Sequence, residues 1–384
     1  MRIGIVTLYH ENFNYGGLLQ AFALQQSISR LGVECEVLQF NSLKLSYYLK
    51  RLAHFTPAQA VNAIKRVLRE KVASSGEKNR MEARKNAFRQ FEAMIPHSSL
   101  ISAKSYKEAL GGYDVLIVGS DQVWNPAWWN DILLLKGIDG SSVRKTSYAA
   151  SMGCSSLSAQ DAATLNEALR DYTFLSVREP SAASLLRELS PNCEAVVSLD
   201  PTLLFDEPEW LSALPKKDEY RVPNEPYALL YLVDKFKRYT DKSIDVCLKA
   251  GLQCVVVSYS SEMRTAARLG VIRMNDCTPQ EWVHLVHEAD VVITDSFHGV
   301  AFSSSFKKPF WCYRKTETLN GSNLDDRQSA LLSRLGLQDR IIESDTDITE
   351  QMLKSVPCFD MCEKELRRER GASLEHLKSC LGID

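Results

Sequence analysis

The sequence predicts an α/β fold of two parallel-sheet domains facing a cleft, and three observations lead there. Short β-branched runs alternate with helix-period segments along the chain, the pattern of strands joined by crossover helices. At 384 residues the chain exceeds the usual reach of one hydrophobic core, so two domains are expected. Two of the runs also end alike: Asp114-Val-Leu-Ile-Val-Gly-Ser120 and Asp290-Val-Val-Ile-Thr-Asp-Ser296 each pass from an apolar strand into a polar corner. In an open parallel sheet, the carboxyl end of a strand is where ligands bind.

The first domain is placed at residues 1–208. Its opening strand, Arg2-Ile-Gly-Ile-Val-Thr-Leu8, leads into a turn containing Asn14, Gly16 and Gly17, then a helix from about Leu18 to Leu31. The small residues let a ligand approach the backbone, although a bare tight turn explains them as well. They do not form Gly-x-Gly-x-x-Gly, so no nicotinamide or flavin cofactor follows. Val33 to Phe40 reads as the second strand. Residues 42–91 read as a basic helical insertion, either a solvated face or a patch that meets anionic lipid headgroups. After the Gly119-Ser120-Asp121 corner come Trp124, Trp128 and Trp129. Their flat faces suit either a sugar ring or the core. Strands follow at Lys145–Ser151 and from Phe174 to the Arg178-Glu179 pair, with a helix at Ser158–Arg170 between them. At a strand's carboxyl end, Arg178 can grip a carboxylate or phosphate bidentately, or form a structural ion pair with Glu179 or another carboxylate.

Phe205 to Pro226, rich in proline and charge, is the linker candidate, and the second domain is placed at residues 209–384. It opens with Tyr227-Ala-Leu-Leu-Tyr-Leu-Val233, then a helix from Asp241 to Ala250 and a strand from Gln253. Thr278-Pro-Gln-Glu281 is a capping box that starts a helix. On that helix His284 and His287 fall off the apolar stripe and read as solvent-facing rather than metal-binding. The Thr294-Asp-Ser-Phe-His298-Gly299 corner then feeds a helix read from Val300. Unpaired N–H groups and the helix dipole favour an anion at such a corner. His298 there can contact a phosphate or carboxylate and move a proton, or can merely tie down a capping loop. Arg327 lies near the first turn of a later helix, against dipole preference, which favours a ligand-facing role. The charged helical tail, Asp345 to Leu381, is expected to pack back across the domain boundary.

Composition limits the function classes. Hydrophobic content of 45% and charged content of 24% are those of an ordinary globular protein, and a net charge of -2 argues against nucleic acid. The amino terminus enters a strand without a signal peptide's apolar region, and no apolar run is long enough to span a membrane, so a cytoplasmic protein is expected. The ten cysteines are scattered without paired zinc spacing. They are expected to be reduced and metal-free.

The chain resembles the polysaccharide pyruvyl transferase family. The resemblance rests on Asn14-Tyr-Gly-Gly-Leu-Leu-Gln-Ala-Phe-Ala-Leu-Gln25, Gly119-Ser-Asp-Gln-Val-Trp-Asn125, Ser147-Tyr-Ala-Ala-Ser151, Ser176-Val-Arg-Glu179, Asp200-Pro-Thr-Leu-Leu204 and Thr294-Asp-Ser-Phe-His-Gly299, in the family's order. It implies two Rossmann-like domains with a GT-B-like cleft, phosphoenolpyruvate as donor and a sugar of a cell-surface polysaccharide or its lipid-linked precursor as acceptor. Where some members carry Arg-Leu-His, this chain has Ser296-Phe297-His298. Tested against that chemistry, His298 suits a donor-phosphate or acid role, and Asp121 suits a base or hydroxyl-orienting role. Arg178 and Arg327 are placed near the donor with Ser296 and Gly299. Asn14, Gly16, Gly17, Ser120 and Trp124 are placed on the acceptor side or cleft. No metal or cofactor is demanded. A glycosyltransferase using a nucleotide sugar and a non-catalytic sugar-binding protein of polysaccharide assembly are the alternatives.

Overall fold

The computed structural model describes residues 1–40, 75–127, 129–189, 194–233, 239–258, 268–274, 276–314, 318–319, 322–323 and 326–383. Residues 42–74 of the basic insertion, and Trp128, lie outside the described residues.

The first sheet holds β1 (Ile3–Val6), β2 (Cys35–Val37), β3 (Val115–Val118), β4 (Arg144–Ser147), β5 (Tyr172–Val177) and β6 (Ala195–Val197). Its order is β2-β1-β3-β4-β5-β6, and every pair is parallel. The second holds β7 (Tyr227–Leu232), β8 (Gln253–Ser258), β9 (Val271–Arg273), β10 (Val291–Thr294) and β11 (Phe310–Tyr313). A small antiparallel pair, β12 (Thr318–Leu319) and β13 (Ser322–Asn323), precedes its last strand, β14 (Ile341–Ile342). The second order is β14-β11-β10-β7-β8-β9, again all parallel. Each order reverses once, between β1 and β3 and between β7 and β10. Those switch points open a crevice at the strands' carboxyl ends.

The first domain's helices are α1 (Tyr15–Arg30), α2 (Ser75–Glu92), α3 (Tyr106–Leu110), α4 (Ala159–Leu169) and α5 (Pro180–Leu189). Then come α6 (Glu207–Ala213), α7 (Thr240–Lys249), α8 (Pro279–Glu288), α9 (Phe297–Ser305), α10 (Asp326–Arg334), α11 (Glu350–Leu353) and α12 (Asp360–Leu381). Caps explain several starts: α8 has the Thr278/Glu281 capping box, and α6 has another made by Asp206 and Glu209. Thus the segment expected as a linker begins with an ordered helix. His284 is a correction: it is buried, with Nε2 2.8 Å from the Leu214 carbonyl oxygen, because the chain after α6 covers that side of α8.

Strand alternation sorts the cores. Ile3, Ile5 and Ile117 point into the same apolar cluster as Leu229, Tyr231 and Val292 of the second sheet. Their neighbours Val6, Leu116 and Val118, and Leu230, Val291 and Ile293, face two separate outer cores. One continuous core therefore runs from sheet to sheet. Tyr15 of α1 stacks on Trp282 of α8 at 5.5 Å, and its hydroxyl donates to the Cys277 carbonyl at 3.1 Å. Helix α2 covers this seam, its Arg84 donating to Tyr15 Oη and to the Phe13 carbonyl. That arginine is directed inward, unlike a solvated or lipid-facing charge.

Helix α12 returns to the first sheet. Arg144 donates to the Ser379 and Cys380 carbonyls, Leu199 N–H donates to Ser373 Oγ, and Cys380 lies 3.3 Å from the Ser147 carbonyl. Midway along it, Arg370 donates to the carbonyls of Leu203 and Phe205 and to Ser305 Oγ. Nine of the ten cysteines are described, and these nine are free thiols. No helix of the described residues is long and apolar enough to cross a membrane.

Candidate active site

Two strand-to-helix corners meet where the domains face each other. After β1, Asn14 accepts from Gly16 N–H at 3.1 Å and caps α1. After β10, the chain enters α9 at Phe297, and His298 projects across to α1. A Cβ on Gly16 would stand 1.9 Å from His298 Nδ1, so the imidazole lies directly over the glycine. His298 is 6% exposed. The ring is buried because α1 of the other domain covers it.

The ring's other nitrogen, Nε2, is 3.8 Å from Asp200 Oδ2. Asp200 follows β6 and is buried. Its Oδ2 accepts from Arg178 Nη1 at 2.7 Å and from Ser120 Oγ at 3.2 Å. Its Oδ1 accepts from Thr202 N–H and Oγ at 3.0 and 2.8 Å. Arg178, at the end of β5, also donates to Glu179 Oε1 at 2.9 Å, and its guanidinium carbon lies 4.2 Å from the centre of the Phe297 ring. Four strand ends thus supply one cluster: Ser120, Arg178 and Asp200 from the first sheet, and His298 from the second. Asp200 was not singled out as a site residue in the sequence. Its signal was a carboxylate at a strand's carboxyl end immediately before Pro201-Thr202.

The charges constrain one another. Burial lowers the proton affinity of His298, and Arg178 and Arg327 lower it further. Asp200 and Asp121 oppose that change without reversing it, so the net shift is downward and the ring is neutral at pH 7. Burial alone would raise the Asp200 pKa, but His298, Arg178 and the Thr202 N–H hold it below the ordinary value. Arg178 is held charged: burial disfavours its cation, and Glu179, Asp200 and Asp121 more than compensate.

Beside this cluster is a narrow cavity of about 10 Å³, with Arg178, Glu179, Asp200, Phe297, Arg327 and Arg334 on its walls. Arg334 is ion-paired to Glu369 of α12. The arrangement offers two cations, a neutral imidazole and two carboxylates in one desolvated space. Such a site can hold an anion and move a proton.

The other sequence candidates separate. Asp121 has φ of 61°, and its charge acts on both His298 and Arg178. Ser120 is buried, donating to Ala149 O at 2.8 Å as well as to Asp200. Ser296 precedes α9 without a side-chain cap, its N–H donating to Thr294 Oγ1. Gly299 is packed on that same Thr294 Oγ1, where a Cβ would come to 2.2 Å. Gly17 is likewise packed on Asn12 within its own turn. Trp124 is a correction: it is fully buried in the first domain's outer core, edge-on to Tyr172 at 6.0 Å, and presents no open face to a sugar. His284, His287 and Glu288 place possible ligand atoms within 4.8 Å of one another. Each already has a protein partner: Leu214 O, Glu207 and Lys216 respectively.

The model of the polysaccharide pyruvyl transferase family matches residues 14–314. No curated protein matches the chain. Among solved structures, S. aureus MnaA in a UDP co-structure is similar at 10% identity, covering 100% of this chain and 98% of that one, with TM-score 0.55. The Methanocaldococcus jannaschii UDP-GlcNAc 2-epimerase, in complex with UDP-GlcNAc and UDP, is similar at 11% identity, covering 100% and 99%, with TM-score 0.53. At these identities the likeness establishes the GT-B fold alone.

Proposed function

This chain belongs to the polysaccharide pyruvyl transferase family, and from that premise we propose that it moves pyruvate from phosphoenolpyruvate onto a sugar as a ketal. The acceptor in this reading is a sugar of a cell-surface polysaccharide or its lipid-linked precursor, bound in the cleft between the domains. The observation that carries the reading is the cross-domain cluster of His298, Arg178 and Asp200, with Arg327 on the adjoining cavity.

The chemistry requires four events. The donor's methylene carbon takes a proton, and a sugar hydroxyl attacks C2. Phosphate then leaves, and a second hydroxyl attacks the same carbon. One hydroxyl proton replaces the one given to the methylene, and the other departs with phosphate. In this reading Arg178 and Arg327 hold the donor's anionic groups, and Asp121 orients or deprotonates a hydroxyl. His298, neutral in the free protein, gains proton affinity as the anionic donor arrives and then serves as acid. Arg178 over the Phe297 ring brings a guanidinium to the corner where some members of the family carry an arginine.

The test is incubation with phosphoenolpyruvate and candidate acceptor glycans, measuring phosphate release together with acceptor mass. Equimolar phosphate and a pyruvate ketal on the acceptor are expected. Glycosyl transfer from a UDP-sugar with no reaction of phosphoenolpyruvate would replace this reading with a glycosyltransferase. Retention of an oligosaccharide without turnover of either donor would point instead to sugar binding alone.

A further inference from the structure

Asp200 and His298 belong to different domains, and the contact between them is not explained by packing. The carboxylate is already satisfied by Arg178, Ser120 and Thr202, yet it faces an imidazole nitrogen that has no hydrogen-bond partner among the described residues. The two sides of the ring are electrostatically unlike. Nε2 meets a buried negative charge. Nδ1 lies over Gly16 in the first turn of α1, where the positive end of the helix dipole favours a lone pair over a second N–H.

We propose that Asp200 is a positioning residue acting across the cleft: it fixes His298 with its hydrogen on Nε2, leaving Nδ1, over Gly16, to handle the reaction's proton. This rests on the reading of His298 as the proton-handling group. It explains why the β1 corner carries glycine at position 16, since any Cβ would cover that nitrogen. It also ties protonation to domain contact, because the counter-charge for an imidazolium in the second domain comes from the first. The other charges acting on the ring are Asp121, Arg178 and Arg327. Asp121 supports the imidazolium as Asp200 does, and the arginines oppose it. Of the two carboxylates, Asp200 favours the charged ring more strongly.

The experiment is nitrogen NMR of the full chain labelled at its seven histidines, with His298 assigned by the signal lost in His298→Gln. In the unvaried protein the neutral His298 ring is expected to carry its hydrogen on Nε2. A hydrogen on Nδ1 overturns the proposal. In Asp200→Asn, the His298 midpoint should move to lower pH by about one unit or more, the scale for losing an opposite charge at this range. An unmoved midpoint in a folded Asp200→Asn overturns it as well. Should that variant fail to fold, the ring's tautomer in the unvaried protein decides. Neither readout uses a donor. An Nε2 hydrogen in a protein that does not turn over phosphoenolpyruvate would therefore refute the reaction and keep the positioning role.

Discussion

The corner after β1 and the corner after β10 share a plan, a strand end passing through glycine into a helix, and they use it differently. At the first, Asn14 secures the helix start, and Gly16 is kept small by a histidine from the other domain. At the second, Ser296 makes no side-chain cap, and Gly299 is kept small by Thr294, three residues before α9. One glycine is a contact surface between domains, whereas the other permits a local turn. Similar sequence at a strand end therefore does not imply a similar duty. The matching Asp114–Ser120 and Asp290–Ser296 runs make the same point. Ser120 bonds Asp200, the carboxylate that faces His298 of the other domain, whereas Asp295 is held away from that cluster by Val233 N–H and Tyr239 Oη.

The difference is sharpest under substitution. Gly16→Ala should displace the imidazole and cost turnover about 10² to 10³, the scale of losing one positioned acid–base group. Steady-state rates per folded molecule measure this, and near-normal turnover would erase the distinction between the corners. Gly299→Ala should act through the fold. Thr294 Oγ1 both donates to Tyr231 O at 2.7 Å and accepts from Ser296 N–H at 3.0 Å, so an added methyl forces a shift costing about 1–3 kcal/mol. Urea denaturation reads that loss, and an unchanged midpoint would contradict it. Asn14→Ala removes only a cap and should cost roughly 1 kcal/mol in the same measurement. A turnover loss as large as that of Gly16→Ala would show that the cap also touches substrate.

Much of the architecture was legible because buried parallel strands are written as runs such as Val115–Val118 and Val291–Thr294, in which every residue is buried. Helix starts were less so. Expected at Leu18 and Val300, they fall at Tyr15 and Phe297. The glycine penalty of about 1 kcal/mol in a helix is offset by the Asn14 cap at one and by close packing at the other. In the site, His298 stood out from its corner alone, but Asp200 did not, since only the tertiary fold brings the two together. Trp124 was misleading for a different reason: an aromatic residue after a strand has the same appearance whether it stacks on a sugar or fills a core.

If His298, held between the domains, handles the proton of pyruvyl transfer, His298→Gln removes the acid from the reaction. Glutamine occupies similar volume and keeps a hydrogen-bonding group but cannot act as the acid. The measurement is phosphate release from phosphoenolpyruvate with an acceptor that the unvaried protein pyruvylates, normalised to folded protein. A fall of about 10² to 10³ is predicted, on the scale of losing general acid catalysis. Turnover at the unvaried rate in folded His298→Gln would contradict that role.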